Sequence, residues 1–187
     1  MTISAADPTQ LGRLSRNGIP QTWDNSEAWP ATINPAVSYH YKTLDLDLTA
    51  LEAGYVYGQF IQVIIDSASA NTFLAGYLNS YDPTSAATMQ ATWLGDPGTS
   101  GLSFGTDPLP FQVQVLAGGH LILVLNETTT NAGLNTPANI IVEAYSDNTF
   151  TDLVATVPEP ATWASLALGI AAVGALRRRA STPRTTV

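Results

Sequence analysis

No cysteine occurs among the 187 residues. That excludes disulfides, thiolate metal sites and cysteine nucleophiles. Positive charge is nearly as scarce. Residues 1–157 hold only Arg13, Arg16 and Lys42 against fourteen acids, a net of −11. A body this acidic is repelled by phosphate backbones, so nucleic acid is not expected as a partner. Its acidity favours solubility and attracts divalent cations. Histidine is limited to His40 and His120, and a histidine-based zinc site would need both together with carboxylates. The opening stretch Met1-Thr2-Ile3-Ser4-Ala5-Ala6-Asp7 has neither a basic n-region nor an apolar h-region. If the chain is exported, the expectation is an upstream in-frame segment that supplies a signal peptide.

What the body lacks, the end of the chain has. Val157-Pro158-Glu159-Pro160 is followed by an uncharged run from Ala161 to Leu176 and then by Arg177-Arg178-Arg179. Residues 158–187 carry four arginines and one glutamate, a net of +3. As a helix rising about 1.5 Å per residue, the apolar run spans roughly 24 Å. That is short for a hydrocarbon core of about 30 Å and calls for local thinning or snorkelling arginines. Arginine favours the cytoplasmic side, which places everything before Ala161 outside the cytoplasm. Small residues such as Ala164, Ala167, Gly169 and Gly174 keep the segment only modestly hydrophobic, which suits a temporary hold. Pro158 and Pro160 keep the stretch before the helix extended and open to a protease. Two other readings of the tail are a buried C-terminal helix of a soluble domain and a permanent anchor dimerising through Ala167, Ala171 and Ala175.

The order of rigid motif, apolar span and basic cluster resembles the PEP-CTERM sorting signal of Gram-negative envelope proteins. The resemblance implies export, transient retention in the inner membrane, and cutting near the motif by an exosortase-like membrane protease. Pro158, Glu159 and Pro160 would be the motif that the protease reads, and Arg177, Arg178 and Arg179 the topological stop. The expected destination is the cell surface or the extracellular matrix.

Between Val37 and Ile141 the sequence alternates apolar and polar residues with a period of two, broken by turn chemistry. Strands are expected at Tyr39–Leu48, Val56–Ile65, Thr72–Asn79, Met89–Leu94, Phe111–Leu116, His120–Leu125 and Ile140–Tyr145. Asp82-Pro83, Asp96-Pro97-Gly98, Asp107-Pro108 and Gly118-Gly119 punctuate them. The strict alternation of Phe111-Gln-Val113-Gln-Val115, returned by Gly118-Gly119 into His120-Leu-Ile-Leu-Val-Leu125, predicts a hairpin. No segment before the tail reads as an amphipathic helix. The fold class expected is all-β, an antiparallel, jelly-roll-like β-sandwich of about 7–9 strands, followed by a single short transmembrane helix. The organisation that follows is a mostly loop lead-in at 1–36, a β-sandwich at 37–150, a linker with the motif at 151–160, a membrane helix at 161–176 and a basic cytoplasmic tail at 177–187.

Arg16-Asn17-Gly18, the strand Tyr39-His40-Tyr41, Leu94-Gly95-Asp96-Pro97-Gly98 and Ala117-Gly118-Gly119, in that order, are similar to bacterial pre-peptidase C-terminal-like jelly-roll modules. The similarity covers residues 12–147. It implies an accessory, secretion-associated or surface-binding module without catalysis.

Candidate chemistry in the body is sparse. Gly101-Leu102-Ser103-Phe104-Gly105 matches the nucleophile-elbow pattern, with Asp107 and His120 following in the hydrolase order. That chemistry needs a helix directly after the serine, and Asp107-Pro108-Leu109-Pro110 cannot form its first turns. The stretch reads as a glycine-rich loop, and no catalytic residue is assigned. Asp45 and Asp47 share a strand face, while Asp82, Asp96 and Asp107 sit in loops that could lend oxygen ligands to Ca²⁺. Turn formation explains Asp-Pro equally well. No cofactor is expected apart from a structural calcium with no defined ligand set. Trp23, Trp29, Trp93 and the seven tyrosines could stack on sugar rings or simply pack a core. The sequence therefore reads as a non-enzymatic surface or matrix protein. The alternative is a carbohydrate- or calcium-binding adhesion module on the same sandwich, with extracellular polysaccharide as partner.

Overall fold

The structure is a computed structural model of the chain; it describes residues 1–48, 59–102, 108–115 and 118–145, all within one compact unit, Met1–Asp152. The expected linker, membrane helix and basic tail lie outside the described residues. Among the described residues no helix is long and apolar enough to cross a membrane.

The period-two stretches form strands as alternation dictates. In chain order the elements are β1 (Thr9–Leu14), β2 (Thr32–Asp47), β3 (Gln59–Ser67), β4 (Thr72–Leu78), α1 (Ala86–Thr92), β5 (Trp93–Gly95), β6 (Leu109–Val115), β7 (His120–Glu127) and β8 (Ala138–Tyr145). They make two antiparallel sheets, ordered β1-β2-β7-β4-β5 and β6-β3-β8. One apolar core is shared between them: Ile61, Val63 and Ile65 of β3 and Phe111, Val113 and Val115 of β6 meet Leu74 of β4 and Leu121, Leu123 and Leu125 of β7. Burying such side chains contributes roughly 1.5–3 kcal/mol each.

A second apolar cluster lies on the other face of β4 and β7, built from Phe73, Ala75, Tyr77, Ile122 and Val124 with Leu14 and Met89. β7 is consequently buried on both faces, which is why Leu121–Leu125 reads as a continuous apolar run rather than an alternating one.

Two expectations are corrected. The strand predicted at Met89–Leu94 is mostly the helix α1, with β5 limited to its end. Ser85 caps that helix, its Oγ accepting from the Thr88 amide at 3.1 Å, and two alanines open the first turn, the pattern that starts a helix. Met89 is apolar because it covers the outer cluster, which a strand reading explains equally well. The lead-in also carries β1, an edge strand paired with β2 across a bulge at Gly12, and Ile3 is fully buried in the shared core. The predicted hairpin of Phe111–Leu116 with His120–Leu125 does not form: β6 pairs with β3, and β7 pairs with β2 and β4. Both segments turn their apolar face into the same core, so alternation correctly assigned the face. It carries no information about the hydrogen-bonded neighbour.

Candidate functional site

Two rows on the outer face of the smaller sheet are polar and aromatic, beside a row of Pro110, Ile64 and Ile141. Register sets Gln114, Phe60 and Tyr145 in one row and Gln112, Gln62 and Glu143 in the next. The amides are linked: Gln112 Nε2 donates to Gln62 Oε1 at 3.1 Å, and Gln62 Nε2 donates to Glu143 Oε2 at 3.0 Å. Tyr145 donates its hydroxyl to the same Glu143 oxygen at 3.0 Å. Trp23 stands edge-on to Phe60 and Tyr145, with ring centroids at 5.4 and 5.7 Å. Its indole N–H donates to the Val113 carbonyl at 3.1 Å, which fixes the ring against β6. Between this tryptophan, β5 and β6 lies a cleft of about 230 Å³ lined by Gln21, Trp23, Phe60, Trp93, Gln112 and Gln114.

Behind Trp93 the strap carrying residues 18–27 is clamped to the turn after β5. Gly18 N–H donates to the Gly98 carbonyl at 2.9 Å and Gln21 N–H to the Asp96 carbonyl at 3.0 Å. The clamp needs two glycines. A Cβ on Gly95 would sit 2.5 Å from Gln21 Cγ; one on Gly98, whose φ is +71°, would sit 2.4 Å from Ile19 N. This is the local reason for Leu94-Gly95-Asp96-Pro97-Gly98.

The clamp buries acids. Asp96 is 1% exposed; its Oδ1 accepts from the Gly98 amide at 2.7 Å, and its Oδ2 has no hydrogen-bond partner among the described residues. Glu27 is held by its own amide, which donates to Gln21 Oε1 at 2.7 Å. Both of its carboxylate oxygens are shut off from solvent without a hydrogen-bond partner among the described residues, as is the Trp93 indole N–H. Burial pushes the Asp96 carboxyl up to about 7; the Gly98 amide opposes this by lowering it, and the neighbouring Glu27 charge adds a smaller raising effect. The Trp93 indole also favours the Asp96 charge, but it makes no hydrogen bond of ordinary geometry. Burial raises Glu27 as well.

At the far end of β7 a second buried acid is fully served. Glu127, 0% exposed, accepts from the His40 amide and lies against His40 Nδ1, both at 3.1 Å, and its other oxygen accepts from the Gly133 amide at 3.0 Å. Arg13 lies beside this corner, donating to the Thr128 carbonyl at 3.0 Å, with its guanidinium 5.9 Å from the Tyr39 ring centre.

The other residues singled out from sequence are dispersed. Asp45 and Asp47 do share a face, where Asp45 Oδ1 bonds His120 Nδ1 at 2.8 Å and Asp47 lies 3.8 Å from His120 Nε2. The Asp45 hydrogen bond, chiefly, holds His120 above its ordinary value. Asp82 serves a turn, accepting from the Thr84 amide at 2.9 Å. Ser103 and Asp107 lie outside the described residues. Of the tryptophans, Trp23 and Trp93 reach the cleft, whereas Trp29 packs edge-on against Trp93 at 5.8 Å beside the outer cluster. Sequence reasoning missed Glu27 altogether. A lone glutamate in a polar lead-in carries no periodic signal. A larger cleft, about 420 Å³, lies between β1, β2 and α1 and is lined by no titratable side chain. Among the described residues no three histidines or acids are grouped to hold a metal by themselves.

Comparison with known proteins bears on the chain's end. The family described as PEP-CTERM protein-sorting motif matches residues 156–179. That span includes Pro158, Glu159, Pro160, Arg177, Arg178 and Arg179, all outside the described residues. No curated protein and no solved structure matches, so the similarity of the body to pre-peptidase C-terminal-like modules finds no support there. The motif marks an exported protein that is sorted through an exosortase and tethered at the membrane before processing.

Proposed function

We propose that the chain is a non-enzymatic surface or extracellular-matrix protein, carried as a β-sandwich cargo ahead of its sorting tail. The observation that carries this reading is the sorting motif at 156–179, joined to a body whose acidity suits an exported, soluble module. In this reading Pro158, Glu159 and Pro160 are recognised by the exosortase-like protease. Arg177, Arg178 and Arg179 hold the tail's orientation at the inner membrane until the cut. The product is released to the surface or matrix. Intact mass and cell fractionation of the protein expressed from its own locus test this. A surface or matrix species ending near Pro158–Pro160 is expected. A full-length species that stays in the inner membrane would make the tail a permanent anchor and defeat the proposal.

A second reading, a carbohydrate- or calcium-binding adhesion module, is favoured by the cleft beside Trp23. Aromatic edges and faces from Trp23, Phe60 and Trp93 stand next to amides of Gln21, Gln112 and Gln114. Such a mixture offers apolar contact to a sugar ring and hydrogen bonds to its hydroxyls. Titration of the full chain with acidic and neutral polysaccharides, read by tryptophan fluorescence, should give a saturable change that Trp23→Ala removes. Flat titrations would discard the saccharide half of this reading.

A further inference from the structure

The Glu27–Asp96 pair is poorly explained as a packing element. A buried carboxyl oxygen without a partner costs on the order of 1–3 kcal/mol, and more when charged. Here three such oxygens, Asp96 Oδ2 and both of Glu27, belong to two residues that Gln21 ties together, its amide donating to the Asp96 carbonyl and its Oε1 accepting from the Glu27 amide. The groups acting on Asp96 are burial, the Gly98 amide, the Glu27 charge and the Trp93 indole; no arginine or lysine is among them. The nearest guanidinium in sequence, Arg16, is instead bonded to Ser100 Oγ. A buried polar group left unserved in this way is a recurrent sign of a bound ion.

We propose that Glu27 and Asp96 bind a calcium ion, which locks the 18–27 strap onto the turn after β5. This deepens the calcium-binding half of the second reading and rests on it. The donor set is all oxygen, which suits a hard cation and disfavours zinc or copper. Two carboxylates neutralise a divalent charge, and three oxygens from two side chains leave the remaining coordination positions to water or main-chain carbonyls. A site so incomplete in protein ligands binds in the weak range typical of extracellular modules, about 10⁻⁴–10⁻³ M, and Ca²⁺ accepts its irregular geometry better than Mg²⁺ does. Gln21 ties the two acids together through its side chain and backbone, and it also lines the saccharide cleft. The ion would thereby brace one wall of that cleft.

The test uses Tb³⁺ as a luminescent stand-in for Ca²⁺ on the full chain in mild detergent, with excitation of the indoles. Trp93 borders the pair, so bound Tb³⁺ should show saturable sensitised emission that Ca²⁺ displaces. Asp96→Asn and Glu27→Gln, both isosteric, should each weaken binding by at least about tenfold, while Asp45→Asn should leave it unchanged. Ca²⁺ should also raise the melting temperature of the unaltered chain and of Asp45→Asn, but not of the two site variants. Emission that persists in both site variants, or a melting temperature equally responsive in all four proteins, would reveal adventitious binding and overturn the site. Absence of any Tb³⁺ or Ca²⁺ response in the unaltered chain would overturn it as well. The polysaccharide titration read through Trp23 is made on the cation-free chain, so loss of the ion site and loss of the saccharide cleft are separately visible.

Discussion

Two acids are buried to the same depth at different places in this molecule, and they are treated in opposite ways. Glu127, at the end of β7, has its two oxygens occupied by the His40 amide, His40 Nδ1 and the Gly133 amide. Asp96, after β5, has one oxygen served by Gly98 and the other without a hydrogen-bond partner among the described residues. The first corner joins β2, β7 and the loop at Gly133 through hydrogen bonds that all terminate on one side chain, and it is complete within the chain. The second is built with equal care, through two glycines and a clamped strap, yet three of its carboxylate oxygens find no hydrogen-bond partner among the described residues. A carboxylate that is only structural attracts donors.

Substitutions sharpen this contrast, and the largest effect is expected at the complete corner. Glu127→Ala leaves the donors of His40 and Gly133 without an acceptor and should cost roughly 3–5 kcal/mol, as removal of one partner from a buried charged network does. Urea unfolding would read it, and a loss under about 1 kcal/mol would show that the corner is not a fastening. Next comes the clamp. Gly98→Ala places a Cβ against the Ile19 backbone at a positive φ and should cost about 1–3 kcal/mol. Hydrogen exchange should localise the opening to residues 18–27, and uniform loss of protection across both sheets would contradict the strap's local role.

Asp96→Asn should behave in the reverse sense. Without added cation at pH 8 it removes a buried, poorly served charge while keeping the acceptor for Gly98, and it should stabilise the fold by about 1–3 kcal/mol. A destabilisation of the size expected for Glu127→Ala would erase the distinction between the corners. The smallest effect belongs to the exposed His120. Its raised folded value, set chiefly by the Asp45 hydrogen bond, means the fold binds that proton more tightly than the unfolded chain. The resulting stability is full below the unfolded value of about 6.5 and is lost as pH rises through the higher folded value. A pH series of melting temperatures should show this shallow decline, and His120→Asn should flatten it.

Much of the strand content was legible. Thr72–Leu78 and Leu109–Val115 lie close to their expected bounds because each alternates or is apolar between clear turn residues. The errors share a cause. α1 was misread since a seven-residue helix is too short to develop a periodic face, and Met89 looks the same in a strand. β1 was overlooked because Thr9–Leu14 alternates weakly, with Leu11 outward and exposed and Gln10 and Arg13 buried, the reverse of what polarity suggests. The hairpin failed because a period of two fixes a face and leaves the partner open. Of the candidate residues, Asp96, Trp23 and Trp93 could be nominated from sequence, but Glu27 could not, nor could the amide rows that only sheet register brings together.

The address was therefore written in the sequence alone: a rigid motif, an apolar run and an arginine cluster act through their linear order, and linear order survives without a fold. The alternation that assigns apolar faces to a core was equally local, being a property of neighbouring residues. Everything that concerns a candidate ligand was decided by tertiary structure. Bringing Glu27 to Asp96, or Trp23 to Phe60 and Tyr145, requires distant segments to be clamped by hydrogen bonds and close glycine contacts, and no spacing along the chain encodes which donors a buried carboxylate will find when it arrives.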